Sequence, residues 1–386
     1  MTILIHTADW HLGKTFRGYA DDVEVQTRLR LERLDAIDRL GEAARAANAA
    51  AVLVAGDVFH TNEVEDRLVL DALARIGRMQ VLTIAIPGNH DHAGAGSVWE
   101  RRAFVQHRDR LAPNLRVVTD AITGIEVGDV TVVASPVLQR FHQVALADLG
   151  EVESAEGRPR IGLVHAATLT FAEDQSGRAL ATQNGERARL DYLALGDFHR
   201  QQQVDGLPCP AWYAGALTPD NFASHGQDGE RIGTCLRLHV RGNGRVDVEP
   251  IALGGVRWLR VARALRDEVG VEQLLQELRA HVGNDVGKIV CEIDLEGSVL
   301  GYAAGERWRA ASAELRPLFL SLQQRSEIAL EPSEDEQNAL AMRPGLAGRA
   351  ATDLRLRIAE GGQEALIARF ALLRLYQLAQ STAVRT

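Results

Sequence analysis

Five short apolar runs in the first two hundred residues each stop at side chains that can ligate a hard or borderline divalent cation. ILIHTADWHLG carries Asp9 and His11, GDVFH carries Asp57 and His60, and PGNHD carries Asn89, His90 and Asp91. GLVH ends at His165, and ALGDFH carries Asp197 and His199. Ligand types converging from five strand ends could hold two cations, and two cations sharing one site are a device for cleaving phosphoesters.

The runs also organise the fold. Strands are expected at Thr2–Thr7, Ala51–Ala55, Val81–Ile86, Leu115–Val118, Val130–Ala134, Arg160–Val164 and Tyr192–Leu195. Helices are expected at Asp22–Ala47, Glu63–Arg78 and Ser97–Leu111. In the first helix, Val25, Leu29, Leu31, Leu34, Ile37 and Leu40 recur near helical spacing. Such alternation specifies an α/β layered domain whose functional residues sit on loops at the carboxyl ends of strands.

From Trp212 onward the pattern shifts to short strands, Gly233–Val240 and Arg245–Ile251, split by the hairpin signal Arg241-Gly-Asn-Gly244. Val256–Ala262 as a strand, Val271–Val282 as a helix and Lys288–Leu295 as a strand read as a small β-α-β second domain ending near Ile328. The acidic run from Glu331 to Glu336 and the Pro344-Gly345 pair read as linker or loop. A helical region follows from Ala350 to Gln380, with Gly361-Gly362 as its expected break. The expected division is therefore 1–255, 256–330 and 331–386.

Composition narrows the classes. Of 386 residues, 46% are hydrophobic, enough to build a core, and no apolar stretch approaches membrane-spanning length. The N-terminus has no basic region before an apolar stretch, which argues against a signal peptide. Cys209, Cys235 and Cys291 are scattered, which argues against a disulfide framework and a thiolate zinc site and fits a reducing cytoplasm. The net charge of −9 disfavours a strongly basic nucleic-acid binder, but part of that acidity would be metal-ligating carboxylate.

Each motif has a plain reading beside its chemical one. Positions i and i+2 of a strand share a face, so Asp9 with His11, and Asp197 with His199, could each chelate one ion; either pair could also be chance. Asp57 follows a wholly apolar strand, where a carboxylate is costly unless ligated or paired; it could also cap the next helix. Asn89 offers a neutral oxygen and His90 an acid, or the segment is only an Asx-turn. A lone His165 at a strand end would ordinarily be a core residue. Five recurrences together favour a metal centre.

The ordered set DxH, GDxF, GNHD, xxH and GDxH resembles the calcineurin-like metallophosphoesterase superfamily. Within it, Thr7-Ala-Asp-Trp-His-Leu-Gly13 and Gly56-Asp-Val-Phe-His60 are similar to the first two motifs of SbcD-type DNA repair exonucleases. The stretch from Trp212 to Phe222 is similar to that branch's Y-x-G-[ST] segment, with Ala216 in place of the hydroxyl residue. The resemblance covers roughly residues 1–255. It implies a two-sheet sandwich flanked by helices, followed by a β-α-β cap and C-terminal helices that contact an SMC-like coiled-coil ATPase of SbcC type. It also implies a homodimer, DNA as substrate and two Mn2+ ions, with Mg2+ or another divalent cation as alternatives.

Carried over by residue, the resemblance gives the first metal to Asp9, His11, Asp57 and His199. The second goes to Asn89, His165 and Asp197 with Asp57 bridging. His90 would stabilise the transition state or protonate the leaving alkoxide, and His60 would sit near the phosphate. This chain has Gly196-Asp-Phe-His199 where the repair nucleases have GHxH. The added carboxylate favours hard cations, manganese or magnesium, over soft-site metals.

Weaker signals remain two-sided. Arg101, Arg102, His107, Arg108 and Arg110 form either a solvated helix face or a phosphate-backbone contact, with Arg101 and Arg102 the DNA-binding candidates. Trp10 and Phe16 are core aromatics or a base-stacking platform. Leu366, Phe370 and Leu373 share a face that packs on its own chain or on a partner. Against the nuclease stand a phosphodiesterase acting on a small nucleotide and a non-catalytic scaffold subunit.

Overall fold

The computed structural model describes residues 1–140, 143–168, 180–222 and 228–383, with side chains to residue 379. The chain divides into two compact units: Met1–Asn221 with Arg231–Trp258, and Phe222–Glu230 with Leu259 onward.

The first unit begins β1 (Thr2–Thr7), α1 (Val23–Ala46), β2 (Ala51–Ala55), α2 (Asp66–Met79) and β3 (Leu82–Ile86). Two short helices, α3 (Arg102–Val105) and α4 (Arg108–Leu111), precede β4 (Leu115–Val117), β5 (Thr123–Val127), β6 (Val130–Ser135), β7 (Arg160–His165) and β8 (Tyr192–Gly196). Then come β9 (Gln202–Val204), β10 (Ala211–Tyr213), β11 (Gly229–Val240) and β12 (Val246–Ala262). One sheet of this unit has the order β12-β11-β1-β2-β3-β4 and the other β5-β6-β7-β8-β10-β9.

β1, β2 and β3 run parallel to one another, as do β6, β7 and β8. Every residue of β2 and β7 is buried, as parallel strands covered on both faces require. Leu4, Leu53 and Ile84 of the first sheet meet Val132, Leu163 and Ala194 of the second in one apolar layer. Val52 and Val54 pack instead with Ile37 and Leu40 of α1 and Leu73 and Ile76 of α2. A two-sheet layered α/β fold thus brings the carboxyl ends of both parallel sets together. His6 of β1 ties the layers, its Nε2 donating to the Leu195 carbonyl at 3.2 Å and its Nδ1 lying 3.2 Å from the Tyr192 hydroxyl.

Two local expectations change in this unit. The helix expected over Ser97–Leu111 is broken into a 3-10 turn, α3 and α4, because Arg101 is extended (φ −66°, ψ 148°). The strands expected at Arg245–Ile251 and Val256–Ala262 are one strand, β12, which runs through Gly254 and Gly255 at φ +68° and +91°. Glycine carries that left-handed backbone without a Cβ clash. The hairpin between β11 and β12 turns where expected, with Gly244 N–H donating to Arg241 O at 3.0 Å.

In the second unit α5 (Glu268–Val282), β13 (Ile289–Asp294), β14 (Val299–Leu300), α6 (Tyr302–Leu315), β15 (Ser321–Gln324) and β16 (Ala329–Leu330) follow the end of β12. β13 and β15 pair in parallel. Val271, Leu275, Ile289, Ile293 and Trp308 form its core. α7 (Glu334–Ala341), α8 (Leu346–Glu360) and α9 (Gly362–Ala383) end the chain. The acidic run expected as linker instead starts α7: Ser333 and Glu336 form a capping box, and Glu334, Asp335 and Glu336 fill the first turn. Carboxylates there complement the free N–H groups and positive end of the helix. Gly361 and Gly362 break α8 from α9, both at φ +78°.

Candidate metal centre

β1 stops at Thr7, so the expected strand alternation does not align Asp9 with His11. Both lie beyond the strand in left-handed backbone, φ +53° and +45°. They are held by a backbone zipper to the loop after β2: Asp9 N–H donates to Gly56 O (3.1 Å), His11 N–H to Asp57 O (2.9 Å) and Leu12 N–H to Val58 O (2.9 Å). Asp57 and Asp197 are left-handed too, φ +54° and +99°. Asp197 follows the last residue of β8, so strand alternation does not position it either. Non-glycine residues in this region are uncommon and cluster at functional sites.

The seven residues expected as ligands come together. Asp57 Oδ2 lies 3.6 Å from His11 Nε2 and 3.6 Å from His165 Nε2. His199 Nε2 is 2.9 Å from His11 Nε2. His165 Nε2 is 3.6 Å from Asp197 Oδ1, which accepts from Asn89 Nδ2 at 3.2 Å. The Asp197 N–H donates to the Asp9 carboxylate at 3.2 Å. Ligand atoms of Asp9, His11 and His199 form one compact group, and those of Asp9, Asp57 and His165 a second. Asp9, His11 and Asp57 are at most 2% exposed.

Two glycines make room for these approaches. A Cβ on Gly56 would stand 2.3 Å from His165 Nδ1, and one on Gly88 would stand 2.1 Å from Asp57 Oδ1.

His165 Nδ1 donates to the Ala55 carbonyl at 2.8 Å, which turns Nε2 toward Asp57 and Asp197. His90 sits over the group, its N–H donating to Asp57 Oδ1 at 2.9 Å and its Nδ1 to the His60 carbonyl at 2.9 Å. The His60 ring stacks on it at a centroid distance of 4.9 Å, with Nδ1 3.4 Å from His11 Nδ1.

Electrostatics follow from crowding carboxylates in a dry place. Burial pushes the Asp57 carboxyl well above the usual range, and Asp91 and Asp9 add to it. Burial raises Asp9 as well. Burial opposes the His165 cation, yet Asp57, Asp197 and Asp9 outweigh it and hold its pKa at about 9. Burial lowers His11, His60 (to about 4) and His90. Buried carboxylates that resist ionisation, around a His165 that they draw toward its cationic form, mark a site short of positive charge, which a bound cation would supply.

The donors fit divalent ions. His165 Nε2 and Asn89 Oδ1 are buried and have no hydrogen-bond partner among the described residues. Bonds of about 2.1 Å to one cation set neighbouring donors about 3.0 to 3.4 Å apart. The separations here, 2.9 to 3.6 Å, lie within about 0.2 Å of that range.

These residues sit within a recognisable pattern: residues 3–201, over half the chain, match the family described as calcineurin-like phosphoesterase. The chain belongs to that family. Among calcineurin-like phosphoesterases it is similar to the SbcD chain of the nuclease SbcCD from Rhodobacter capsulatus, 25% identical over 271 residues, 58% of this chain and 64% of that one. It is also similar to the SbcD chain of the nuclease SbcCD from Escherichia coli, 24% identical over 263 residues, 58% and 62% of the two chains. The chain spans somewhat under two thirds of the length of these curated relatives. As a calcineurin-like phosphoesterase with SbcD-like motifs it is a hydrolase of phosphoesters, and its family implies a divalent metal in the His/Asp cluster.

Other expected residues lie elsewhere. The Arg101 guanidinium is engaged within the chain by the carbonyls of Asn62 (3.2 Å) and Val64 and by Asp66, while Arg102 is exposed at the start of α3. Trp10 and Phe16 are 0% and 5% exposed, so they are core aromatics and not a stacking platform. Sequence reasoning gave no role to three further site residues. Asp91 accepts from Phe59 N–H (2.9 Å) and Gly88 N–H (2.7 Å), locking two ligand loops together. The Tyr213 hydroxyl donates to Ala166 O (2.9 Å) and accepts from Thr168 N–H (2.8 Å), fixing the chain after His165. Asp220 accepts from His199 Nδ1 at 2.9 Å. All three stood inside segments already singled out, Asp91 in PGNHD and the other two in the stretch from Trp212 to Phe222; the partners of Tyr213 and Asp220 lie more than 20 residues away and carry no local signal.

Proposed function

We propose that this calcineurin-like phosphoesterase is the nuclease component of a DNA repair or DNA-end-processing assembly, cleaving phosphodiesters at a dinuclear manganese centre. Asp57 carries the reading, because its Oδ2 lies 3.6 Å from both His11 Nε2 and His165 Nε2 and joins two donor groups. Asp9, His11 and His199 complete one group, and Asn89, His165 and Asp197 the other. The oxygen-rich second group, with Asn89, Asp197 and Asp57, favours manganese or magnesium.

Two divalent cations bound there would neutralise the phosphate and acidify the attacking water. The chain's own residues do the rest. Asp57 keeps Oδ2 for the centre because Oδ1 accepts the His90 N–H. With Nδ1 donating to His60 O, His90 in its imidazolium form would have the Nε2 proton to give to the departing alkoxide and would be left neutral. His60, stacked on His90, holds that ring in place beside the phosphate. The reaction has no covalent enzyme intermediate.

DNA is favoured over a small nucleotide by the DWHLG and GDVFH motifs and by similarity to the SbcD chains of SbcCD nucleases. Residues 1–255 would be the nuclease domain, 256–330 a cap and 331–386 the partner-binding region. Leu366, Ile367 and Phe370 of α9 are 58 to 72% exposed, an apolar face suited to an SMC-like coiled-coil ATPase of SbcC type. The assembly would be a cytoplasmic homodimer of such pairs. Arg102 is the better placed of the two DNA-contact candidates.

The test is cleavage by the manganese-loaded protein of labelled single- and double-stranded DNA beside a small chromogenic diester. DNA cleavage is expected. Cleavage of the diester alone would sink the nuclease reading, and cleavage of neither would leave a scaffold.

A further inference from the structure

Behind His199 lies a buried charge cluster that the ligand set does not use. The Asp220 side chain is 2% exposed. One oxygen, Oδ2, accepts from His199 Nδ1 at 2.9 Å, takes an ion pair from Lys14 and stands 4.0 Å from the Arg33 guanidinium. Arg33 is itself 1% exposed, donates to Trp10 O at 2.6 Å and lies over the Phe16 ring at 5.2 Å. One carboxylate therefore meets an imidazole from the loop after β8, an ammonium from the loop after β1 and a guanidinium from α1.

A carboxylate can only accept, so the proton of a neutral His199 must sit on Nδ1. Its Nε2 then presents a lone pair 2.9 Å from His11 Nε2. The two cations hold Asp220 in that pose and occupy the oxygen that would otherwise be drawn to the centre. A ring nitrogen fixed from behind by a carboxylate is better oriented and more basic toward a metal.

We propose that Asp220 is a positioning residue that fixes the ring orientation and tautomer of His199, with Lys14 and Arg33 holding it as an acceptor and keeping it from becoming a ligand. This rests on the reading of His199 as a ligand under Proposed function, and the experiment separates the two.

Manganese affinity of the full chain is measured from the free-ion signal in electron paramagnetic resonance for wild type, His199→Ala, Asp220→Ala, and the doubles Asp220→Asn/Lys14→Met and Asp220→Ala/Lys14→Met. His199→Ala and Asp220→Ala should each weaken the affected site about 10- to 100-fold. Asp220→Asn/Lys14→Met keeps an acceptor and the local charge balance, and should return to within about threefold of wild type. Asp220→Ala/Lys14→Met keeps the balance without the acceptor and should not. If His199→Ala binds as tightly as wild type, the ligand reading falls, and this inference with it. If His199→Ala weakens binding and Asp220→Ala does not, only the inference about Asp220 falls. Equal recovery by both doubles would assign the effect to charge alone and overturn it as well. Nitrogen NMR of the metal-free wild-type protein in alkaline buffer needs no variant at 220: the His199 proton is expected on Nδ1, and a proton on Nε2 overturns the proposal.

Discussion

The backbone N–H of His90 donates to Asp57 Oδ1 at 2.9 Å, so the histidine proposed to handle the leaving group and the carboxylate proposed to join two cations are held by one hydrogen bond. The bond uses main chain on one side, so it survives loss of the His90 ring. The two roles can therefore be separated by substitution.

His90→Ala should lower the turnover of manganese-dependent cleavage by about 10^2- to 10^4-fold, the usual worth of a general acid. Manganese affinity, read by calorimetry, should stay within about threefold of wild type, because Asp57 keeps its N–H donor. Normal turnover in the variant would remove His90 from the reaction.

Asp57→Asn should do the reverse. Losing the shared ligand removes several kcal/mol of charge stabilisation, so cleavage should drop by about 10^3-fold or more. The thermal stabilisation that manganese gives should shrink too. Binding at 100 times Kd stabilises wild type by about 2.7 kcal/mol, and the variant should gain less than about 1 kcal/mol at the same concentration. Melting curves with and without manganese, against chelator-treated protein, read this directly.

Gly88→Ala tests packing without removing any donor. Its Cβ would stand 2.1 Å from Asp57 Oδ1 and 2.5 Å from Asp57 N, so the bridging carboxylate must move. A shift of that order should cost about 100-fold in rate. Gly18→Ala, whose Cβ meets nothing within 4 Å, should leave activity unchanged in the same assay.

His6 makes stability depend on pH. Burial lowers its pKa from 6.5 to about 3, with the hydrogen bond to Leu195 O opposing. The unfolded chain therefore binds a proton below about pH 6.5 that the folded chain refuses until about pH 3. Stability is lost as pH falls through that window. Between pH 7 and pH 5 this one group should cost about 2 kcal/mol. Urea midpoints should fall over that interval, and the fall should be smaller in His6→Gln, which can still donate to Leu195 O.

What could be read from the sequence was what local chemistry writes. Strands β2 and β7 were legible because wholly apolar runs ended at a polar ligand. The donors of the centre were legible because each sits at such an end. Their geometry was not: Asp9 and His11 meet Asp57 through a zipper between two loops, in a backbone conformation that alternation does not describe. The start of α7 was misread because the acidic run masked the Ser333–Glu336 capping pattern. The break at Arg101 came from that guanidinium reaching Asn62, Val64 and Asp66, a tertiary demand with no signature in helical spacing. Asp220 belongs with these, since its significance depends on His199, Lys14 and Arg33 arriving from three separate segments.

Asp9, His11, Asp57 and Asp197 share a backbone conformation in which an L side chain is disfavoured by about 1 to 3 kcal/mol each. The reactive end of this molecule is thus a set of loaded springs clamped by two sheets. Any substitution that unloads one, above all to glycine, should give a more heat-resistant protein that no longer works. A screen for thermostability alone would therefore be drawn toward these four positions and would select against the chemistry, so engineering of this chain should hold them fixed.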